Sequence, residues 1–307
     1  MEPEISVLIC TWNRAADLKG ALECLESQSL PKDRFEVVVV DNNSTDSTRE
    51  AVEEARGRVG YDLVYVFEPQ QGKSRALNAG IATARADLIA CTDDDCRPEP
   101  IWLREIASAF ADPEVAVLGG PGLSVYPDSI KSDPHRVFLA TRFLGDHAPC
   151  AEFTELREHD PPLGLNMSFR KRVAEEVGGF DVSLGPTGKR HLCREETAFV
   201  RKAQALGHRV FYSPKPVVRH HIQEERITWK SIRKQAFDSG IGTFRERYAD
   251  AVGRSALKRL VFTLQFGAEL VYAHLRMVVF VLSRRRRTIA RFRGVAASGK
   301  LAGLWSG

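Results

Sequence analysis

Compact apolar runs alternate with helix-patterned segments along the N-terminal part of the chain. Ile5–Cys10 (ISVLIC), Phe35–Val40 (FEVVVV), Leu63–Phe67 and Asp87–Cys91 are apolar at nearly every position rather than at every second one. Such runs predict strands buried on both faces of a parallel sheet. Between them, Asp17–Gln28 places Leu18, Ala21, Leu22 and Leu25 at helical spacing, Ser44 to Thr48 offers caps for a charged segment, and Ser74–Ala84 reads as a helix. Strand and helix alternating at this pace predict βαβ units and an α/β fold.

Further along, Gly164–Phe169 reads as a turn followed by a strand, and Arg194–Glu195–Glu196–Thr197 opens a helix that carries Phe199, Ala203 and Leu206 and ends at Gly207. His208–Tyr212 is the next strand, followed across Ser213–Pro216 by Val217–His221. From Trp229 the pattern turns helical, with Ile232, Ala236, Phe237, Gly240 and Phe244 three or four residues apart. Leu260–Leu282 is apolar but interrupted by Gln265, Glu269, His274 and Arg276, which argues against a clean membrane span. Four arginines, Arg284–Arg287, lie just beyond it, so an amphipathic helix on an anionic leaflet is expected. A helical hairpin over the active site or a dimer contact is the alternative. The tail Gly294–Gly307 is expected to be loose.

Composition changes this picture little. A hydrophobic content of 43% and a charged content of 27% are those of a globular protein, and a net charge of +4 is too small to argue for a nucleic-acid partner. The six cysteines are scattered, and Cys91 and Cys96 lack the spacing of a zinc pair, so reduced thiols in a cytosolic compartment are expected. The charged, proline-containing start gives no secretory signal pattern.

The candidate chemistry gathers where strands end. Thr11 and Asn13, then Asp41, then Asp93 and Asp95 follow successive apolar runs. In open α/β sheets that edge is where ligands bind. Strand alternation would put Asp93 and Asp95 on one side and Asp94 on the other. Paired carboxylates there suit a hard divalent cation, which takes oxygen ligands; an acidic turn or helix cap before Pro98 is the other reading. No GxGxxG occurs, and Gly72–Lys73–Ser74 is not a Walker loop because Phe67 stands where its first glycine belongs. Lys73 and Arg75 suit a phosphate or nucleoside near a helix N-terminus, or a solvated loop.

Four segments, SVLICTWNR, VVVVDNNSTDST, GKSRALNAG and CTDDDCRPEPIWL, occur in that order. Together they resemble the nucleotide-sugar-binding half of glycosyltransferase family 2, inverting enzymes with a GT-A fold, over roughly residues 4–225. The resemblance implies a mostly parallel central sheet flanked by helices. It implies a catalytic domain at 1–225, with a nucleotide-binding half to about 120 and an acceptor half from about 121, and a helical, basic extension at 226–307. Thr11 and Asn13 would flank the nucleotide, with Arg14 and Asp94 also on the nucleotide-sugar side, and Asp41 would bind the base. Lys73 and Arg75 would lie beside the nucleoside or diphosphate, and Asp93 would contact the ribose or the metal. Asp95 would be the direct ligand of Mg²⁺ or Mn²⁺, with His220 helping to hold the metal or diphosphate. Gly164–Leu165–Asn166 resembles the segment near the acceptor, as Val177–Gly178–Gly179–Phe180–Asp181 resembles another family segment. At Glu195–Glu196 the family usually has Glu-Asp, whose second acid is the general base; Glu196 is favoured here, with Glu195 the alternative.

Gln223–Glu224–Glu225–Arg226–Ile227–Thr228–Trp229 resembles the Gln-x-x-Arg-Trp motif of processive synthases, except that the tryptophan is displaced by two residues. A single-addition enzyme is therefore expected, with Trp229 near the acceptor. The reading is an inverting transfer from a nucleotide-linked sugar, UDP favoured, to a hydroxyl of a lipid-linked or cell-surface saccharide, at the inner face of the cell membrane. A sugar-nucleotide nucleotidyltransferase would carry a Gly-rich basic loop after the first strand, which Thr11–Arg14 lacks. A non-catalytic saccharide-binding protein is the remaining alternative.

Overall fold

The computed structural model describes residues 2–157, 161–188, 190–253, 255–279 and 284–305. The expected βαβ units are present: β1 (Ile5–Thr11), α1 (Ala15–Glu26), β2 (Phe35–Asp41), α2 (Thr48–Arg56), β3 (Asp62–Phe67), α3 (Lys73–Thr83) and β4 (Leu88–Asp93). β5 (Cys96–Pro98), α4 (Trp102–Ala109), β6 (Val115–Gly119), β7 (Gly122–Val125), α5 (Pro134–Phe143) and β8 (Thr154–Glu155) follow. Next come β9 (Met167–Arg170), α6 (Lys171–Val177), β10 (Pro186–Thr187), β11 (Arg190–His191), α7 (Glu195–Ala205), β12 (Arg209–Tyr212) and β13 (Val218–His221). The chain closes with α8 (Trp229–Arg247), α9 (Ala249–Val252), α10 (Ala256–Val279) and α11 (Arg284–Trp305).

The main sheet has the order β3-β2-β1-β4-β9-β6-β12-β8. Its β3-β2-β1-β4 half is parallel, and β9 runs antiparallel between β4 and β6. Side-chain alternation explains why the strands are apolar throughout. Ile5, Val7 and Ile9 of β1 pack with Leu18, Leu22 and Trp102 on one face, while Leu8 packs with Leu77 and Ile81 on the other. Both faces are covered, so both register positions are mostly apolar, and the polar exceptions Ser6 and Glu36 are buried with the Ser6 hydroxyl donating to Glu36. A smaller sheet, β5-β13-β7, sets His220 opposite Cys96 and so returns the chain to the end of the acidic run.

Two compact units divide the chain: Met1–Tyr126 with Gly145–Val182 and Glu195–Ile222, and Pro127–Leu144 with Ser183–Arg194 and Gln223–Gly307. In the second, α8 begins at Trp229 as its periodicity predicts, with the Thr228 side chain accepting from the Ser231 amide as N-cap. The tail does not end loose: residues 294–305 belong to α11. Its small residues permit a close approach, since a Cβ on Gly299 would collide with the Phe237 carbonyl of α8. That packing, invisible to local periodicity, orders a segment of weak apolar pattern. Residues 280–283 of the expected apolar stretch and 306–307 of the tail lie outside the described residues.

The GKSRALNAG glycines answer to different constraints. Gly72 adopts φ +147°, which favours glycine, and a Cβ on Gly80 would strike Leu8 Cδ1 and press on Val40. Gly80→Ala is expected to destabilise the protein by about 1–3 kcal/mol through overpacking of α3 on the sheet. The measurement is the urea unfolding midpoint at unchanged m-value, and a midpoint equal to wild type refutes it.

Candidate active site

The carboxyl edge of the parallel strands is assembled by contacts between segments far apart in sequence. The Thr11 hydroxyl at the end of β1 donates to Asp94 Oδ2 at 2.8 Å. Asn42, after β2, accepts from the Gly72 amide at 2.7 Å and donates to the carbonyls of Glu68 and Gln70, shaping the loop that enters α3. Asn78 of α3 clasps Phe180, donating to its carbonyl and accepting from its amide at 2.9 and 2.8 Å. Phe180 in turn stacks on Phe199 of α7 with ring centroids 4.6 Å apart. These ties fix α3, which starts at Lys73, relative to α7, which starts at Glu195.

The three acids do not alternate as a continuing strand would place them. β4 ends at Asp93 and the chain turns through Asp94 and Asp95 into β5. Asp93 therefore faces Lys73, its Oδ1 2.8 Å from Nζ, while Asp94 and Asp95 both meet Arg14 Nη1 at 2.9 Å. Burial works against the Arg14 charge, but the two carboxylates outweigh it and hold the guanidinium protonated. Asp94, 4% exposed, is pushed up to about 6 by burial, with Arg14 opposing.

Lys73 is the hub of the second cluster. Its ammonium lies 3.6 Å from Glu196 Oε1 and 4.0 Å from Glu195 Oε1, besides Asp93. Burial disfavours its charge, yet these carboxylates raise its affinity for the proton well above that of a free lysine. Glu195 is 2% exposed, and burial, with Glu196 adding to it, pushes its carboxyl well above the usual range. One of its oxygens, Oε2, has no hydrogen-bond partner among the described residues. Glu196 instead lines a recess with Lys73, Asp93, Gly164 and Phe180. The recess exists because residue 164 has no side chain, since a Cβ there would collide with Glu196 Oε1. The chain enters α7 through two left-handed non-glycine residues, Cys193 (φ +55°) and Arg194 (φ +80°), a strained lead-in of the kind that accompanies functional sites. Cys91 also lines the recess, and burial pushes its thiol up to about 12, so it is no thiolate nucleophile at neutral pH.

The remaining expected residues are placed as follows. Asp41 is buried, accepting from the Tyr65 hydroxyl and the Ser44 amide at 2.8 Å each. Asn13, at φ +53°, is exposed and accepts from the Thr45 amide, and Arg75 is half-buried in the first turn of α3. Asn166, expected beside the acceptor, is 1% exposed. It accepts from Trp102 Nε1 and donates to the carbonyls of Pro121 and Pro216, so its amide is consumed as a brace. Trp229 belongs to the other unit, where it lines a groove with His135, Arg136, Leu139 and Thr228.

His220 Nε2 lies 3.4 Å from Asp95 Oδ1. Among the described residues no three His, Cys, Asp or Glu side chains are drawn together as a metal cluster, and Asp93 stays with Lys73. Oxygen and imidazole donors nevertheless fit Mg²⁺ or Mn²⁺, which commonly take few protein ligands and complete their shell with phosphate and water. Arg14 and Lys73 sit among Asp93, Asp94, Asp95 and Glu196, a carboxylate-rich edge of the kind that takes a hard cation.

Sequence reasoning missed the supporting residues: Asn42, Tyr65, Asn78 and Trp102. Asn78 and Trp102 lie inside the recognisable segments GKSRALNAG and CTDDDCRPEPIWL, and polar or aromatic residues there were the available signal.

The sequence profile described as Glycosyl transferase family 2 matches residues 6–173. Glycosyltransferase AglE of Haloferax volcanii is 29% identical over 196 residues, covering 64% of this chain and 62% of AglE. The chain thus spans less than two thirds of that relative's length. A glucosyl-dolichyl phosphate glucuronosyltransferase of the same organism is 25% identical over 249 residues, covering 77% and 75%. The solved mannosyltransferase PcManGT of Pyrobaculum calidifontis, in complex with GDP-Man and Mn²⁺, superposes with a TM-score of 0.65 at 19% identity, over 100% of this chain and 88% of that one. It shares the GT-A fold.

Because Glu195 binds its proton more tightly folded than unfolded, its contribution to stability is fully present below the ordinary glutamate range and is lost as pH rises through its raised folded value. Glu195→Gln, neutral at every pH, is expected to gain on wild type as pH rises from about 4.5 to 8. Parallel stability curves over that range, from urea denaturation, refute the assignment.

Proposed function

Because the chain belongs to glycosyl transferase family 2, we propose that it is an inverting glycosyltransferase moving a sugar from a nucleoside diphosphate donor, UDP-linked, to a saccharide hydroxyl by single displacement. The observation that carries this reading is Glu196, which lines a recess with Lys73, Asp93 and Gly164 and has the buried Glu195 beside it in the chain.

An inverting transfer needs one base and no covalent intermediate. Glu196 takes the proton from the acceptor hydroxyl as that oxygen attacks the anomeric carbon from the face opposite the diphosphate. The new C–O bond forms as the bond to the diphosphate oxygen breaks, and the nucleoside diphosphate leaves with the electron pair. Glu195, whose burial raises its affinity for the proton, stands beside Glu196 in the first turn of α7. Lys73 holds Glu196 and Asp93 in place and supplies positive charge beside the donor.

Thr11, Asn13, Arg14, Asp41, Arg75 and Asp94 form or brace the nucleoside side. Asp95 and His220, with Asp93, would hold Mg²⁺ or Mn²⁺. Bound there, the cation neutralises the departing diphosphate. The similar mannosyltransferase, solved with GDP-Man and Mn²⁺, supports a cation and a nucleotide-sugar donor. The relative that is a glucosyl-dolichyl phosphate glucuronosyltransferase supports a lipid-linked saccharide acceptor. Gly164, which sits against Glu196, and Trp229 are the residues assigned to the acceptor.

Glu196→Gln is expected to lower transfer by about 10²- to 10⁴-fold while leaving the thermal stabilisation by UDP with Mn²⁺ unchanged. Transfer at the wild-type rate rules Glu196 out as the base. Gly164→Ala is expected to cut transfer at least about tenfold by displacing Glu196, again with nucleotide stabilisation retained. Among UDP, GDP, dTDP and CDP, UDP with Mn²⁺ is expected to raise the melting temperature, and Asp95→Ala to abolish the rise. No shift with any nucleotide would favour a non-catalytic saccharide-binding role.

A further inference from the structure

The second unit contains an apolar surface that its own packing leaves uncovered. One side of α10 is turned inward: Phe266 is fully buried with Phe244, Val252 and Leu304, and Phe262 packs against the same cluster. The other side is apolar too. Leu257, Leu260, Val261, Leu264, Val271 and Leu275 are each between 53 and 71% exposed. At helical spacing they fall within about 100° of the circumference and run about 27 Å along the axis. Isolated exposed leucines need no explanation, whereas a continuous aliphatic stripe marks a surface that meets something apolar.

The charge around the stripe says what that is. From residue 254 to 307, eleven Lys and Arg stand against one acid, Glu269. Even that acid is neutralised by Lys300, 2.7 Å away. Exposed Lys258 and the Arg276 guanidinium, which lies over the Tyr272 ring, border the stripe on one side. A second copy meeting the same face would bring two strongly basic surfaces together, whereas an anionic leaflet offers hydrocarbon to the leucines and phosphate to the cations. No described helix is long and apolar enough to cross a membrane, so the geometry is that of a helix lying on one.

We propose that the outward face of α10 docks on an anionic lipid surface, with its leucines entering the headgroup boundary and the surrounding Lys and Arg meeting lipid phosphates. This surface is independent of the transfer reaction.

The test is flotation of the full chain with phosphatidylcholine vesicles containing about 30% phosphatidylglycerol, beside pure phosphatidylcholine vesicles. The protein is expected to float with the anionic vesicles, to stay behind with the neutral ones, and to lose binding as salt rises. The double variant Leu260→Glu with Leu264→Glu alters only exposed positions and is expected to weaken binding roughly tenfold or more. Its melting temperature is checked against wild type. Arg291→Gln with Arg293→Gln, both exposed, is expected to weaken binding at low salt, which an effect on folding through the leucines would not reproduce. Absence of flotation with anionic vesicles overturns the proposal, as does equal flotation with neutral ones. A wild-type dimer in sedimentation that the leucine variant dissociates, with vesicle binding unchanged, assigns the face to a second copy instead.

Discussion

One ammonium group, Lys73, lies against carboxylates drawn from two distant parts of the chain, Asp93 at the end of β4 and Glu195–Glu196 at the start of α7. Bringing these acids together costs Coulomb repulsion and desolvation, and the structure meets that cost in two ways. Lys73 stays charged because the acids surround it, and burial, with Glu196 adding to it, pushes the Glu195 carboxyl well above its ordinary range. Glu196 lines the recess beside Lys73 and Asp93, with the buried Glu195 as its neighbour in the chain. Most other features of the first unit can be understood as means of keeping α3 and α7 in that relation.

Arg14 solves the same problem for the other two acids. A single nitrogen bridges Asp94 and Asp95, and Thr11 takes up an oxygen of Asp94. Asp95 Oδ1 lies 3.4 Å from His220 Nε2 and accepts from the Cys96 thiol. The carboxylates gathered at this edge are oxygen donors of the kind a hard divalent ion takes.

The supporting contacts share a rule: each recognisable segment is held by another. Asn78 of α3 grips the Gly179–Phe180 turn, Trp102 grips Asn166, and Asn42 shapes the entry to Lys73. Buried side-chain amides satisfied at both ends specify one arrangement, because any displacement leaves polar atoms unpaired in an apolar setting. Residues with no chemical part in transfer therefore sit inside the same short segments as those that have one.

By itself the sequence determined the strands, the first helices and the edge at which the chemistry gathers, because two-sided burial writes its periodicity directly into consecutive residues. Asp93–Asp95 and Glu195–Glu196 stood out for the same local reason, as acids at the ends of apolar or helical patterns. Only the tertiary structure decided how those acids are divided. A turn after Asp93 breaks the alternation that a strand would impose, so Asp93 goes to Lys73 and its two neighbours to Arg14. Asn166 is buried and held by the Trp102 indole and two prolyl carbonyls, all distant in sequence. The ordered tail of α11 depends likewise on a surface of α8 that fits against its small residues. Periodicity reports what one segment buries, and it carries no information about which distant partner a polar side chain will meet.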